Sequence, residues 1–255
     1  MERGKEMATL FVVGLGPGGA ADRTARAEQA LKQAELICGY TVYVDLIREQ
    51  YPDKQVLTTP MTREIERCRA ALEAAAGGRD VAMVCSGDSG VYGMASPLCQ
   101  LLPEYPGVQL EIIPGVTAAL GGGAVLGAPL ALDFAAISLS DQLTPWPVIE
   151  KRLRAAAAGD FAICLYNPES RKRPGYLRRA CDILLECREE KTVCGLVRNI
   201  GRAQQGAQIM TLSQLRDTPA DMFTTVFIGN STTRVIDGRM VTPRGYEQRF
   251  GPDLR

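Results

Sequence analysis

The first half of the chain alternates short continuous apolar runs with stretches whose apolar residues recur at helical spacing. The run TLFVV predicts a strand, and the period of the segment after the following glycine-rich loop predicts a helix. The predicted strands are residues 9–13, 40–47, 80–85 and 108–114, and the predicted helices are residues 22–37, 63–76 and 115–126. Repeated strand-then-helix units predict a parallel sheet covered by helices.

The second half contains more strand and less helix. Five apolar runs predict strands, at residues 134–140, 161–167, 192–199, 207–212 and 224–230, and two helical segments are predicted at residues 148–158 and 176–188. We therefore expect an α/β protein with two α/β domains. These are a parallel-sheet N-terminal domain over residues 1–116, a mixed-sheet α+β C-terminal domain over residues 117–246, and a polar tail over residues 247–255.

Composition narrows the class of protein. The 255 residues are 46% hydrophobic and 23% charged, which is typical of a globular protein. Lys and Arg together number 29, as do Asp and Glu, so the long-range field that attracts nucleic acid or anionic membranes is absent overall. The apolar stretches are broken by Gly and Pro, and the start of the chain lacks a signal-peptide core. We expect a cytoplasmic protein without a nucleic-acid or membrane partner.

Histidine is absent, which excludes the Ser-His-Asp triad, the Cys-His dyad and the H-E-x-x-H zinc site. The eight cysteines form no C-x-x-C pair and lie singly in apolar or helical runs. We interpret them as buried structural thiols and predict no metal site, although Cys181, Cys187 and Cys194 have a spacing that iron-sulfur ligands could take.

The loop GLGPGG, residues 14–19, joins a predicted strand to a predicted helix, which is where a dinucleotide fold carries its glycines. Pro17 has no N–H to offer a phosphate, and the third glycine is out of place. Three interpretations stay open: a dinucleotide site, a structural turn, and a site for a ligand without phosphates.

The loop SGDSGVYG, residues 86–93, also leaves a predicted strand. Ligands bind at the carboxyl edge of open α/β sheets, so both glycine loops are expected at one such edge. Asp88 offers a carboxylate to hydroxyls or to a cation, or it caps the N-terminus of a helix.

Six segments in order resemble the tetrapyrrole methylase family, whose members use S-adenosylmethionine (SAM) in cobalamin and siroheme synthesis. They are VGLGPGG, SGDSGVYGMASP, IIPGVTAALGGGAVLGAPLALDFAAISLSD, LYNPESRKRP, LVRNIGRAQQ and FIGNSTTR, and they span residues 13–234. Within the family, CGYTVYVDLI, TTPMTREIERC, GDSGVYGMASP and LYNPESRKRP most resemble the branch that methylates carbon 17 of precorrin-3B and contracts the macrocycle.

The resemblance implies the tetrapyrrole methylase fold, with SAM held in a cleft between the two domains. The cofactor-binding residues that it implies are Gly16, Pro17, Gly87, Asp88, Val91, Tyr92, Thr117, Ala118, Tyr166, Asn167, Asn199, Ile200, Thr224 and Thr225. It also implies a homodimer, because the family usually forms one.

A tetrapyrrole substrate carries acetate and propionate groups, so cations are expected around it. The candidate substrate-binding residues are Arg171, Lys172, Arg173, Arg198, Arg202 and Arg234, each of which is equally explained as solvated surface charge. Ring contraction requires proton transfer, for which the candidates are Asp88, Ser89, Tyr92 and Tyr166.

The sequence therefore predicts a SAM-dependent C-methyltransferase acting on precorrin-3B or its cobalt-bearing counterpart. The methyl donor is already activated, so catalysis needs alignment and exclusion of water more than acid-base chemistry. Alternatives are methylation at another ring carbon, diphthamide synthesis on a protein, a noncatalytic tetrapyrrole carrier, and a nicotinamide oxidoreductase.

Overall fold

The computed structural model describes residues 7–251, apart from the side chain of Gln248. These residues form two compact units that meet in sequence between Ala118 and Ala119. Of the predicted tail, residues 252–255 lie outside the described part. No helix in the described part combines the length and apolar character needed to cross a bilayer.

The first unit is built on a five-stranded parallel sheet, which confirms the predicted architecture. Its strands are β1 (Thr9–Gly14), β2 (Leu36–Tyr40), β3 (Gln55–Thr59), β4 (Val81–Cys85) and β5 (Gln109–Ile113). They pair in the order β3-β2-β4-β1-β5. The α-helices are α1 (Ala25–Gln33), α2 (Thr41–Asp45), α3 (Glu64–Ala76) and α4 (Ala95–Leu101), and short 3-10 helices occupy Ala20–Asp22, Arg48–Gln50 and Leu102–Glu104.

The three inner strands of this sheet, β2, β4 and β1, are buried on both faces. Alternate residues of β1 serve different cores: Leu10 and Val12 pack with α3 and α4, and Phe11 and Val13 pack with α1 and α2. A parallel strand covered on both sides is a continuous apolar run without a two-residue period. This explains why TLFVV and VAMVC are easily recognised as strands.

The predicted boundaries around residue 40 are wrong. Helix α1 ends at Gln33 and not at residue 37, because residues 36–40 form the buried inner strand β2. The segment predicted as a strand, residues 40–47, contains the helix α2, in which Val44 is fully buried. A short apolar run is compatible with either structure, and packing against the sheet overrides the strand propensity of Val and Tyr.

The second unit has the expected mixed sheet, with strands β7 (Phe134–Ser138), β8 (Ala162–Tyr166), β9 (Val193–Arg198), β10 (Gly206–Thr211) and β11 (Thr224–Ile228). The order is β10-β9-β11-β8-β7, in which only β7 and β8 are parallel neighbours. A second, three-stranded sheet contains β6 (Gly127–Ala128), β12 (Arg234–Ile236) and β13 (Arg239–Val241) and was not predicted. The helices are α5 (Ala118–Leu126), α6 (Trp146–Ala158), α7 (Tyr176–Leu185), α8 (Leu212–Arg216) and α9 (Tyr246–Phe250).

Six cysteines are buried as expected, but Cys99 and Cys187 are exposed, so the prediction of buried thiols is wrong for these two. Burial raises the pKa of Cys38, Cys85 and Cys181 to about 12 and that of Cys68 to about 11. Within residues 7–251, no group of three or more Cys, Asp or Glu side chains could hold a metal ion.

We expect a thiol reagent such as Ellman's reagent to modify only Cys99 and Cys187 rapidly at pH 8, because both are exposed. The other thiols are inaccessible, and a thiol with a pKa near 12 is almost entirely protonated at that pH. Counting thiols before and after adding guanidinium tests this. Rapid native modification of a third cysteine would contradict the burial.

Helix α5 contains two adjacent glycines in different environments. A Cβ on Gly122 would lie 2.8 Å from Phe227 Cζ and 2.9 Å from Ile200 Cδ1, whereas the nearest atom to a Cβ on Gly123 is 3.7 Å away. We expect Gly122→Ala to lower the free energy of unfolding by about 1–2 kcal/mol through overpacking. Gly123→Ala is expected to raise it by up to about 1 kcal/mol through helix propensity. Urea denaturation of both variants measures the difference, and equal effects would contradict the close packing.

Candidate active site

The two glycine-rich loops lie side by side at the carboxyl edge of the first sheet, as expected. Strands β1 and β4 are parallel neighbours with Gly14 opposite Cys85. Beyond them, Gly16 and Gly87 exchange two backbone hydrogen bonds, Gly16 N–H to Gly87 O at 3.0 Å and Gly87 N–H to Gly16 O at 2.7 Å. Both glycines have positive φ, 77° and 70°, which favours residues without a Cβ.

A third segment, residues 114–118, closes this edge. A Cβ on Gly115 would lie 2.2 Å from Gly87 O and 2.7 Å from Gly14 C, so only glycine allows the three backbones to meet. We call the three segments 14–19, 86–93 and 114–118 the glycine cradle. Gly16, Pro17 and Gly87 are buried in it, whereas Thr117 and Ala118 are half-buried.

Asp88 ties the glycine cradle together. The N–H groups of Gly90 and Val91 donate to Asp88 Oδ1 at 2.8 and 3.1 Å, and the N–H of Gly115 donates to Asp88 Oδ2 at 2.9 Å. The alternative of Asp88 as a helix N-cap is wrong, because the next helix starts only at Ala95. The catalytic assignment of Asp88 stays a prediction, and its two carboxylate oxygens already accept three backbone hydrogen bonds.

The side chains of Ser89 and Tyr92 differ in their exposure to solvent. Ser89 is fully buried and donates from Oγ to Ile113 O at 3.0 Å, and its role in proton transfer stays a prediction. Tyr92 is 53% exposed and Val91 is 37% exposed, so both reach the surface of the glycine cradle. Tyr92 also has a φ of 56°, an unfavourable conformation for a residue with a bulky side chain.

In the second unit, the ends of β8 and β9 and the start of β11 lie at one edge of the sheet. The strand register places Thr224 opposite Arg198 and Tyr166 opposite Ser138. This edge also brings together the other predicted cofactor residues of the unit, namely Asn167, Asn199, Ile200 and Thr225. Their cofactor role stays a prediction.

Hydrogen bonds order several of these side chains. The N–H of Ala119, in the first turn of α5, donates to the phenol oxygen of Tyr166 at 2.9 Å. Asn167 Nδ2 donates to Ser138 Oγ at 3.0 Å, and Thr224 Oγ1 donates to an oxygen of Asp221 at 2.8 Å. Ser138 was missed from the sequence, although its place at the end of a strand parallel to β8 is the signal that would have found it.

Asn167 and Asn199 share the left-handed backbone of Tyr92, with φ of 50° and 54°. Asn tolerates this conformation better than most residues. Strained backbone is concentrated at functional sites more than elsewhere. Three of the predicted site residues therefore occupy positions where the fold maintains an unfavourable conformation.

The six predicted substrate cations are only partly brought together. Arg171, Lys172 and Arg173 lie in the segment after β8, and Arg198 and Arg202 lie at the end of β9 and in the turn after it. Arg198 donates to Pro219 O at 3.2 Å, and the guanidinium carbon of Arg202 is 5.7 Å from the ring centre of Phe223.

Arg234 is separate from this group. It lies on β12 in the three-stranded sheet and forms an ion pair with Glu247. The chain enters that sheet after the far end of β11, where the N–H of Gly229 bonds to Val193 O at the start of β9. The structure therefore does not bring Arg234 to the edge that holds Tyr166 and Arg198.

Most of the chain is similar to one family of known proteins. The family model described as Tetrapyrrole (Corrin/Porphyrin) Methylases matches residues 9–216. The chain belongs to the tetrapyrrole methylase family. As a tetrapyrrole methylase it is an enzyme, and the resemblance seen in the sequence is confirmed.

Individual relatives are similar over almost the whole chain. The probable cobalt-factor III C(17)-methyltransferase of Salmonella typhimurium is 48% identical over 238 residues, 93% of this chain and 99% of that protein. The precorrin-3B C(17)-methyltransferase of a Sinorhizobium species is 40% identical, over 93% of this chain and 97% of that protein. The crystal structure of the methyltransferase CobJ matches with a TM-score of 0.86 and 41% identity, covering 92% of this chain and 100% of that one.

We expect Asp88→Ala to lower the free energy of unfolding of this tetrapyrrole methylase by about 2 kcal/mol, because three backbone N–H groups lose their charged acceptor. Asp88→Asn is expected to lower the free energy of unfolding by less, since its amide oxygen still accepts hydrogen bonds from the backbone. Urea denaturation measures both, with Asp53→Ala at an exposed position as the control. An Asp88→Ala variant as stable as the control would show that the carboxylate does not hold the cradle.

Proposed function

We propose that the enzyme transfers the methyl group of SAM to carbon 17 of precorrin-3B, or of its cobalt-bearing counterpart, with contraction of the ring, in cobalamin biosynthesis. The names of the Salmonella and Sinorhizobium relatives support this substrate and this carbon. The observation that carries the proposal is the glycine cradle, in which three loops meet backbone to backbone at the carboxyl edge of a parallel sheet and leave the side chains of Val91 and Tyr92 exposed.

The charge of the glycine cradle fits SAM. Its three segments contain no Lys or Arg, and the only side chain charged at neutral pH is Asp88. A phosphate would prefer cations and free N–H groups, and Pro17 has no N–H. SAM carries a positive sulfonium and no phosphate. These features support SAM over a nicotinamide dinucleotide.

The proposed cofactor contacts of the first unit are all in the glycine cradle, and they are Gly16, Pro17, Gly87, Asp88, Val91, Tyr92, Thr117 and Ala118. The cofactor contacts that the sequence predicts in the second unit remain part of the proposal. They are Tyr166, Asn167, Asn199, Ile200, Thr224 and Thr225.

SAM supplies an activated methyl group that an electron-rich ring carbon can attack directly, with the carbon–sulfur bond breaking as the new carbon–carbon bond forms. The protein's residues then need to hold the methyl group in line with that carbon and to exclude water. This explains how a chain without histidine catalyses the reaction. For the protons of ring contraction, Asp88, Tyr92 and Tyr166 remain the proposed candidates. The phenol oxygen of Tyr166 accepts a hydrogen bond from the Ala119 N–H at 2.9 Å, which fixes its position.

Three further expectations remain proposals: a homodimer, a cytoplasmic location and the lack of a nucleic-acid partner. The equal numbers of basic and acidic residues support the last of these. Light scattering of the purified enzyme tests the dimer.

We expect Gly87→Ala to weaken binding of S-adenosylhomocysteine, the product form of SAM, by about tenfold or more, because a Cβ at φ 70° displaces the backbone that contacts the ligand. Gly107→Ala is the matched control. Its φ is also positive, at 93°, no atom lies within 4 Å of the new Cβ, and it precedes β5 at the opposite edge of the sheet. Isothermal titration calorimetry measures both variants. Equal binding by the two variants, or heat from NAD instead, would contradict the proposal.

Turnover is tested by mass spectrometry of precorrin-3B incubated with enzyme and SAM. The expected product carries one added methyl group, and formation of S-adenosylhomocysteine is expected to match it. Pigment binding without consumption of SAM would identify a noncatalytic carrier. Methylation without contraction, or at another carbon, would place the enzyme in a different branch of the family.

A further inference from the structure

Two helices of the second unit begin next to each other without the usual stabilising groups. Helices α6 and α7 follow the parallel strands β7 and β8, so both start at the carboxyl edge of the sheet. Their first residues, Trp146 and Tyr176, are in edge-to-face contact with ring centres 4.9 Å apart. Neither helix has a side-chain N-cap or an acidic residue in its first turn. The positive ends of two helix dipoles therefore meet at this point.

Arginine adds further positive charge here. The guanidinium of Arg179, in the first turn of α7, lies 4.2 Å from the ring centre of Trp146. A cation at a helix N-terminus is unfavourable. The adjacent Arg178 is compensated by an ion pair with Asp217 at 2.6 Å. Arg179 forms no ion pair with any residue in the described part of the chain.

Two buried donors in the same cluster have no acceptor among residues 7–251. Trp146 is only 7% exposed, and its indole Nε1 makes no hydrogen bond. Arg173 Nη1 is likewise buried without a partner, although Arg173 Nε donates to Ser170 Oγ at 3.2 Å. Buried donors without partners are rare, and each costs about 1–3 kcal/mol. An acceptor group bound here would give both donors a partner.

The carboxylates nearby do not neutralise the cluster. Asp141 accepts from the Tyr176 hydroxyl at 2.5 Å, and Glu169 accepts from the Gly175 N–H at 2.6 Å. Against these two carboxylates stand four cations in the same segments, which are Arg171, Lys172, Arg173 and Arg179. Arg179 itself is exposed, so one cation of the cluster is accessible to solvent.

We infer that the starts of α6 and α7 form a subsite for a carboxylate arm of the substrate, with Arg179 and Arg173 as its cations and Trp146 Nε1–H as a neutral donor. The inference rests on the proposed function, because the ligand is a peripheral acetate or propionate of the tetrapyrrole. It extends the substrate contacts from the 171–173 segment to Arg179 and Trp146, which the sequence did not single out. The other source of a carboxylate is the methionine end of SAM, which the experiment separates.

The test compares Arg179→Met with Arg178→Met, two neighbouring exposed arginines of one helix. Arg179→Met is expected to raise the KM for the tetrapyrrole by about 10- to 100-fold, the effect of losing a hydrogen-bonded charge, while S-adenosylhomocysteine binding stays at the wild-type value. Arg178→Met is expected to change neither quantity. Equal KM values for the two variants would overturn the subsite, as would weakened binding of S-adenosylhomocysteine by Arg179→Met.

Binding of uroporphyrin, a stable tetrapyrrole rich in carboxylates, supplies a measurement that needs no turnover. Titration by fluorescence quenching is expected to show weaker binding by Arg179→Met than by Arg178→Met. Trp146→Phe, which keeps a ring under Arg179 but removes the N–H, is expected to weaken uroporphyrin binding to a smaller extent. If the wild type binds uroporphyrin but transfers no methyl group from SAM to precorrin-3B, the proposed function fails while the subsite stands. Equal uroporphyrin binding by all three variants and the wild type would overturn the subsite.

Discussion

The reciprocal hydrogen bonds between Gly16 and Gly87 join two loops that leave neighbouring parallel strands, and the first unit's site depends on this contact. Backbone segments can approach this closely only where no Cβ lies between them. A Cβ on Gly115, for example, would lie only 2.2 Å from Gly87 O. The carboxylate of Asp88 then holds the third loop through the Gly115 N–H. The result is an ordered surface of peptide groups at the end of a sheet with a hydrophobic core on each face.

The two units differ in the chemistry of their carboxyl edges. The glycine cradle of the first unit holds a single charge, that of Asp88, and this charge is bound to backbone N–H groups. The segments around the starts of α6 and α7 in the second unit carry more cations than carboxylates. An almost uncharged backbone surface suits a sulfonium-bearing donor, and a cationic edge suits a substrate rich in carboxylates. Neither task requires histidine.

Several residues at these two edges have features that lower the stability of the fold. Tyr92, Asn167 and Asn199 adopt left-handed backbone that costs of order 1–3 kcal/mol at functional sites. Helices α6 and α7 begin without side-chain caps, whereas α1 and α8 are capped by Thr24 and Thr211. Some of the positions that break local rules of stability are thus ones where ligand contacts are proposed.

The sequence by itself determined the class of the fold and the order of most strands and helices, because buried parallel strands and amphipathic helices leave distinct apolar patterns. Its ordered motifs also identified the family. Tertiary structure decided the secondary structure of residues 36–45, where packing against the sheet outweighs local propensity. It also decided that Asp88 ties loops and caps no helix, that Ser89 is buried, and that Arg234 lies apart from Arg198. The surroundings of these residues depend on which strands become neighbours in the sheet. No local sequence pattern indicates strand order, because the neighbouring segments are far apart in the chain.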